Sequence, residues 1–370
     1  MQKVHGIWEW KHKAVHPKET GYEHMIDTLN IISVEDFKKL SADEQKVYVA
    51  EVLRRIREVN IYPVYYFNDI GIKDEIYNCI LYSANPVVTE VAEDGHAGKV
   101  LLDYLFPNLH LAEAGNTNNN CMYSRFYDDT KLSKCLTRHM KNYTFTNMRT
   151  PFFMYGRFFW NTAVNFSPMR AKAIFETFCP PRGVIYDFSA GYGGRMLGAL
   201  TSLNRYTYVG CEPCSDTYYN LNKLGRHIEQ VTGRTGSYNI YYNCSELLGL
   251  KAETVDFAFS CPPYFKLERY SDEATQSTVK HPTYQLWVDD YVVPTLKHIY
   301  KALKPGGKLG FVIAKRIYRG SAQYDLAADW CKAASECGFT FVKQYPIRTR
   351  SRKKQEDAEA LYIFEKEMVR

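Results

Sequence analysis

An α/β fold, a mostly parallel sheet with helices on both faces, is predicted for the second half of the chain by three observations. From residue 184 onward, short apolar strands alternate with amphipathic helices. Several of those strands end at an acid or a polar turn, the end at which such sheets collect their ligands. Two last strands, 339–347 and 360–365, flank a basic loop and read as a terminal β-hairpin. Residues 1–160 read as a separate, mostly helical domain ahead of a 161–370 domain. A length of 370 residues, with 45% hydrophobic and 24% charged, suits about two domains with cores of their own.

The chain bears this out element by element. Residues up to about 35 are polar and aromatic and carry little periodicity. Ser41-Ala42-Asp43-Glu44 is a capping box, and Val49, Val52, Leu53 and Ile56 follow at helical spacing, so a helix is predicted to about Val59. Pro63 makes the apolar run 61–67 an edge or extended segment. Shorter helices are expected over 73–83 and 99–105, and 114–120 is a loop. From Lys134 to Trp160 rings and cations interleave, with Arg138, Arg149 and Arg157 among Phe152, Phe153, Tyr155 and Phe158. That composition suits a nucleic-acid groove, and an inter-domain packing surface explains the rings equally well.

Pro168 opens a helix whose apolar face is Ala171, Ile174, Phe175 and Phe178, which makes Ser167 and Lys172 candidates for the rim of a neighbouring loop. Val184-Ile185-Tyr186 is then a buried strand ending at Asp187, and Ser189-Ala190-Gly191-Tyr192-Gly193-Gly194 turns into a helix. Gly191 and Gly193 let the backbone turn sharply and a ligand approach the amides at the helix start. The dinucleotide fingerprint wants a third glycine where Met196 stands, which weakens a nicotinamide or flavin reading. Strands follow at 206–211, 238–242, 255–260 and 308–314, with helices over 215–231, 284–303 and 322–337. Acids close the first two strands, Asp187 and Glu212, and a carboxylate at the second suits the paired hydroxyls of a ribose. Ser245-Glu246 ends the third strand.

Two further features bound the function. Ten cysteines lie at irregular spacing and no apolar run of a signal peptide follows the first residues, which points to the reducing cytoplasm. Cys211-Glu212-Pro213-Cys214 is a lone pair without a second pair or a histidine pair, so no metal is expected. No apolar stretch approaches the ~20 residues that span a bilayer, and no membrane partner is expected. A net charge of +6 permits a polyanionic partner without requiring one.

The fourth strand ends in Cys261-Pro262-Pro263-Tyr264-Phe265, followed by Leu267-Glu268-Arg269-Tyr270-Ser271. With the acid-x-x-x-Gly-x-Gly loop upstream, this resembles the amino-directed DNA methyltransferases that use S-adenosylmethionine (SAM), in the versions found in phages and mobile elements. The likeness covers roughly 165–366. It implies the class I methyltransferase fold, SAM as cofactor, and methylation of adenine N6 or cytosine N4 in DNA, either a duplex with a flipped base or a single strand. It further implies that Asp187, Ser189, Gly191, Gly193, Glu212, Ser245 and Glu246 hold SAM, with Ser167 at the rim. In the family the side chain before the prolines and the first proline's carbonyl accept the hydrogens of the target amine, and the aromatic residue stacks on the base. Cys261, Pro262 and Tyr264 would take those roles. Cys261 departs from the family's Asp, Asn or Ser, and a thiol is the weaker acceptor. Adenine against cytosine stays open, and an RNA methyltransferase or a catalytically silent nucleic-acid binder remains an alternative. Arg348, Arg350, Arg352 and Lys353, on the basic loop of the hairpin, would clamp phosphates.

Overall fold

The computed structural model describes residues 1–92, 95–114, 121–348 and 358–368, without the side chain at 319. The chain forms two compact units, Met1–Ile72 with Phe106–Val164, and Lys73–Leu105 with Asn165–Arg370. The division differs from the expected 1–160 and 161–370 because residues 73–105 pack with the second unit. A buried lysine explains part of it: Lys172 donates from Nζ to the carbonyls of Cys79 (3.0 Å), Ile80 (3.2 Å) and Tyr82 (2.7 Å), the last turn of the helix Asp69–Leu81 and its exit. Lys172 is therefore a helix cap, which corrects its reading as a rim residue.

The first unit is mostly helical. Its longest helix, Ala42–Val59, starts at the predicted capping box and ends at Asn60 in a left-handed conformation. Helices Asp129–Met140 and Arg149–Phe159 carry the aromatic stretch, and Phe145, Phe152, Phe153 and Tyr155 are buried. Tyr62 lies at the middle of this packing, stacked on Trp10 at 5.2 Å and hydrogen-bonded to Nδ1 of His110 at 3.2 Å. Phe145, Phe152, Phe153 and Tyr155 thus serve the core of this unit, while Tyr143 and Phe158 are exposed.

The second unit holds a seven-stranded sheet. Its strands are β1 (Val184–Asp187), β2 (Thr207–Glu212), β3 (Tyr238–Tyr242), β4 (Val255–Ser260), β5 (Leu303–Ala314), β6 (Phe339–Pro346) and β7 (Glu359–Lys366). Their spatial order is β6-β7-β5-β4-β1-β2-β3, with β7 antiparallel to both neighbours and β1 to β5 parallel. This is a doubly wound, Rossmann-like α/β fold, ending in the predicted hairpin. The order reverses between β1 and β4, so a crevice opens there at the carboxyl ends of the strands. The helices that matter to it are α1 (Pro168–Phe178), α2 (Gly194–Leu200), α3 (Ser215–Thr232), α4 (Val293–Ala302) and α5 (Leu326–Glu336).

Two predicted helices differ. The 284–303 helix is broken by a π-helical turn at Val288–Val292, just before Pro294, whose ring nitrogen cannot donate into a regular ladder. The 322–337 helix loses its first turn to a small hairpin, Ile317–Arg319 with Ala322–Tyr324, because Gly320 adopts φ +60° and folds the chain back.

Candidate functional site

The carboxylate of Asp187 is fully buried and has four donors. Oδ2 accepts from Nε of Arg195 and from the Tyr208 hydroxyl, both at 2.7 Å, and Oδ1 accepts from the Ser260 hydroxyl at 2.8 Å and the Ser189 amide at 3.3 Å. Four donors fill the lone pairs of a carboxylate. Asp187 therefore positions the loop and offers nothing further to a ligand, a correction to its expected direct contact. Tyr208 and Ser260 escaped the sequence reading because they meet Asp187 only when β1, β2 and β4 lie side by side, and Arg195 reaches it from the first turn of the helix Gly194–Leu200.

Past Asp187 the chain turns through Gly191 at φ +57° and Gly193 at φ +76°, and Gly193 is the N-cap of α2. Both angles lie where only glycine sits without strain. The segment Asn165–Ser167 runs over this loop: Asn165 donates from Nδ2 to the Tyr192 carbonyl at 2.6 Å, and a Cβ on Gly194 would fall 1.9 Å from the Phe166 carbonyl oxygen. Ser167, the N-cap of α1, is buried, and its hydroxyl has no hydrogen-bond partner among the described residues. Ser189 donates its hydroxyl to the Phe188 carbonyl at 2.8 Å and lies 3.3 Å from the Tyr291 hydroxyl.

Glu212, at the end of β2, is 7% exposed. One oxygen accepts from the Gly191 amide and the other from the Cys214 amide, both at 2.9 Å. Burial pushes this carboxyl up to about 7, with the two amides pulling the other way. One amide per oxygen leaves each oxygen a free lone pair, so the carboxylate fits two adjacent hydroxyls of a ribose. Ser245 shares a hydrogen bond with the Thr295 hydroxyl at 3.0 Å, and Glu246 is buried in an ion pair with Lys280.

A strap from the segment after the prolines crosses the ends of β2 and β3, a feature with no sequence signature. Glu273 accepts from the Ser215 amide at 3.1 Å and the Ser215 hydroxyl at 2.8 Å, which caps α3. Thr275 donates to the Pro213 carbonyl at 2.9 Å, and Lys280 closes the strap on Glu246.

Cys261 and Tyr264 stand at the end of β4, and Pro262 between them is buried. The Tyr264 phenol donates to Oε1 of Glu359 at 2.7 Å and accepts from the Ala314 amide at 3.1 Å. Its ring is thereby fixed in orientation by the start of β7 and the end of β5. The Cys261 sulfur lies 4.0 Å from the same phenol oxygen. Burial, reinforced by the Glu359 charge, pushes the Cys261 thiol up to about 12, so it is a protonated thiol near neutrality.

The cationic residues are scattered. Arg138 and Arg157 are exposed on the helices of the first unit, Arg138 with its guanidinium 6.0 Å from the Phe158 ring. Arg149 is half-buried between the rings of Tyr65 and Phe153, at 5.3 and 4.9 Å. Arg348 is exposed and 3.7 Å from Glu90. Arg350, Arg352 and Lys353 lie outside the described residues. Among the described residues no cluster of His, Cys, Asp or Glu could hold a metal ion, and no helix is long and apolar enough to cross a membrane.

No family model matches the chain, and no curated protein matches it. Solved structures do resemble it. A TehB-like SAM-dependent methyltransferase from Corynebacterium glutamicum is 13% identical over 55% of this chain and 90% of its own, with a TM-score of 0.37. The [4+2]-cyclase SpnF is 13% identical over 57% and 87%, with a TM-score of 0.41. A SAM-dependent methyltransferase from Methanosarcina mazei is 14% identical over 53% and 98%, with a TM-score of 0.37. Likenesses at such identities and TM-scores say nothing of activity, which has to be argued from the site.

Proposed function

We propose that this chain transfers the methyl group of SAM to an exocyclic amino group of a DNA base, adenine N6 or cytosine N4. The observation that carries the reading is the hydrogen bond of Ser260 to Asp187, which sets the Cys261-Pro262-Pro263-Tyr264 turn beside the glycine loop. A cofactor cradle and an amine-holding turn then occupy neighbouring strand ends of one crevice.

In this reading Glu212 takes the ribose hydroxyls, the amides after Gly191 and Gly193 face the nucleoside, and Ser245, Glu246 and Ser167 line the remainder. Bound SAM supplies a methyl group activated by its sulfonium. The chain's part is to orient the amine, since its lone pair is conjugated to the ring and must be turned toward the methyl carbon. The Pro262 carbonyl is the acceptor that would hold one amine hydrogen, and Tyr264 contributes its fixed ring to the pocket of the base. Arg138, Arg157, Arg348, Arg350, Arg352 and Lys353 supply cations for phosphate contacts, with Arg149 committed to packing.

Competition among duplex DNA, duplex RNA and single strands as acceptors of labelled methyl tests the substrate class. The reading expects DNA to be labelled; label entering RNA alone replaces it with the RNA alternative.

A further inference from the structure

The amine chemistry needs a group to take the proton that leaves nitrogen, and at the position before the prolines this chain has a thiol. Cys261 is a poor acceptor and, held up to about 12, cannot act as an anionic one near neutrality. A carboxylate nevertheless stands at the same turn. Glu359, the first residue of β7 and half-buried, accepts the Tyr264 phenol at 2.7 Å through Oε1, and the Cys261 sulfur is 4.0 Å from that phenol oxygen. Its backbone is fixed opposite Ala314, whose amide holds the other side of the phenol at 3.1 Å. Strand β7 thus delivers to the turn what the motif lacks.

We infer that Glu359 is the proton acceptor for the target amine, in the place that the family's Asp, Asn or Ser would hold. The inference rests on the amine-methylation reading above. One oxygen of Glu359 is committed to Tyr264, and the other is the acceptor. As the nitrogen lone pair forms the N–CH3 bond, the sulfonium S–CH3 bond breaks and its pair stays on sulfur. The nitrogen then carries a positive charge and an extra proton, which passes to Glu359 and on to solvent, leaving a neutral methylamine and S-adenosylhomocysteine. Tyr264 becomes the positioning residue that aims the carboxylate. No sequence motif marks Glu359, because it lies 98 residues beyond Cys261 and reaches the turn only through the antiparallel pairing of β7 with β5.

The titratable groups that interact with Glu359 among the described residues are Tyr264, Cys261 and Glu268, and Glu268 is itself pushed up to about 7 by burial first and the Glu359 charge besides. The test is therefore a comparison of Glu359→Gln with Glu268→Gln. Glutamine at 359 keeps the size and can still accept from Tyr264, so a merely structural role survives the change, whereas proton acceptance does not. Expected for Glu359→Gln are a loss in kcat of about 100-fold or more, loss of the acid limb of the kcat profile at saturating SAM, and unchanged affinities for S-adenosylhomocysteine and duplex DNA by calorimetry. Glu359→Asp should return part of the rate, and Glu268→Gln should keep the acid limb. An active wild type with a Glu359→Gln variant of full kcat and unaltered pH profile overturns the inference and leaves the methylation reading standing. A wild type that binds both ligands and methylates no amine overturns both.

Discussion

Ser260 donates its hydroxyl to Oδ1 of Asp187 over 2.8 Å, joining the last residue of β4 to the last residue of β1. The two strands pair through Ile185–Phe257 and Tyr186–Ala258, so this side-chain bond continues the ladder past its backbone end. It couples the glycine loop to the Pro-Pro-Tyr turn, and both depend on one buried carboxylate.

Ser260→Ala is expected to cost about 1.5–3 kcal/mol, the worth of a hydrogen bond to a charged group. Asp187→Asn should cost about 3–5 kcal/mol, since it leaves the buried Arg195 guanidinium without its counter-charge. Urea unfolding measures both. In Ser260→Ala, kcat should fall more than SAM affinity, because the turn moves relative to an intact loop. Equal losses in the two would contradict the coupling.

Glu212 makes a prediction about pH. Its carboxyl sits at about 7 in the folded protein against an ordinary 4.5, so the fold retains a proton that the unfolded chain has lost between those values. Stability therefore falls as pH rises through that window, by up to about 1.4 kcal/mol per pH unit, and it levels off above 7. Hydroxyls donated by a bound ribose favour the carboxylate, so SAM affinity should rise toward pH 7 with release of a proton. Calorimetry in buffers of different ionisation enthalpy reads that proton. Glu212→Gln should abolish both pH dependences and weaken SAM binding, since its NH2 group would face a backbone amide.

Lys280→Met should loosen the strap. Glu246 would lose its main counter-charge in a buried position, a change that costs about 3 kcal/mol or more when a buried pair is broken. Hydrogen exchange is expected to accelerate over 273–280, and SAM dissociation should quicken with it. Protection unchanged over that segment would show that the Lys280–Glu246 pair does not hold the strap.

Cys261→Ser separates an amine mechanism from a covalent one. Serine keeps the size and is the better acceptor, so activity should persist or rise, whereas a nucleophilic cysteine would lose essentially all turnover. The protonated state of the thiol at neutral pH favours the first outcome. A dead Cys261→Ser variant that still binds SAM and DNA would contradict it.

Much of the fold was legible because its signals are local. The capping box at Ser41, the glycine turn after Asp187 and the alternation of strands with helices each need only a few neighbouring residues, and each lies where the sequence placed it. Elements governed by tertiary context were missed: the π-helical turn before Pro294, the Ile317–Tyr324 hairpin, and the packing of 73–105 with the second unit. The site divides the same way. Glu212 stands out by its place at a strand end and the Cys261–Tyr264 turn by its resemblance to a family motif, whereas Tyr208, Glu273, Lys280 and Glu359 act through partners 21 to 95 residues away. Asp187 shows the converse, since an acid at a strand end reads alike whether it faces a ligand or four donors of its own chain.

The central claim is methyl transfer to an exocyclic base amine, and nucleoside analysis of the product tests it most directly. Duplex DNA incubated with the protein and labelled SAM should yield, after digestion, label in N6-methyladenosine or N4-methylcytidine deoxynucleosides, and none with Glu212→Gln at limiting SAM. Label in 5-methylcytosine, or no label in DNA from a protein that binds SAM tightly, would contradict the account.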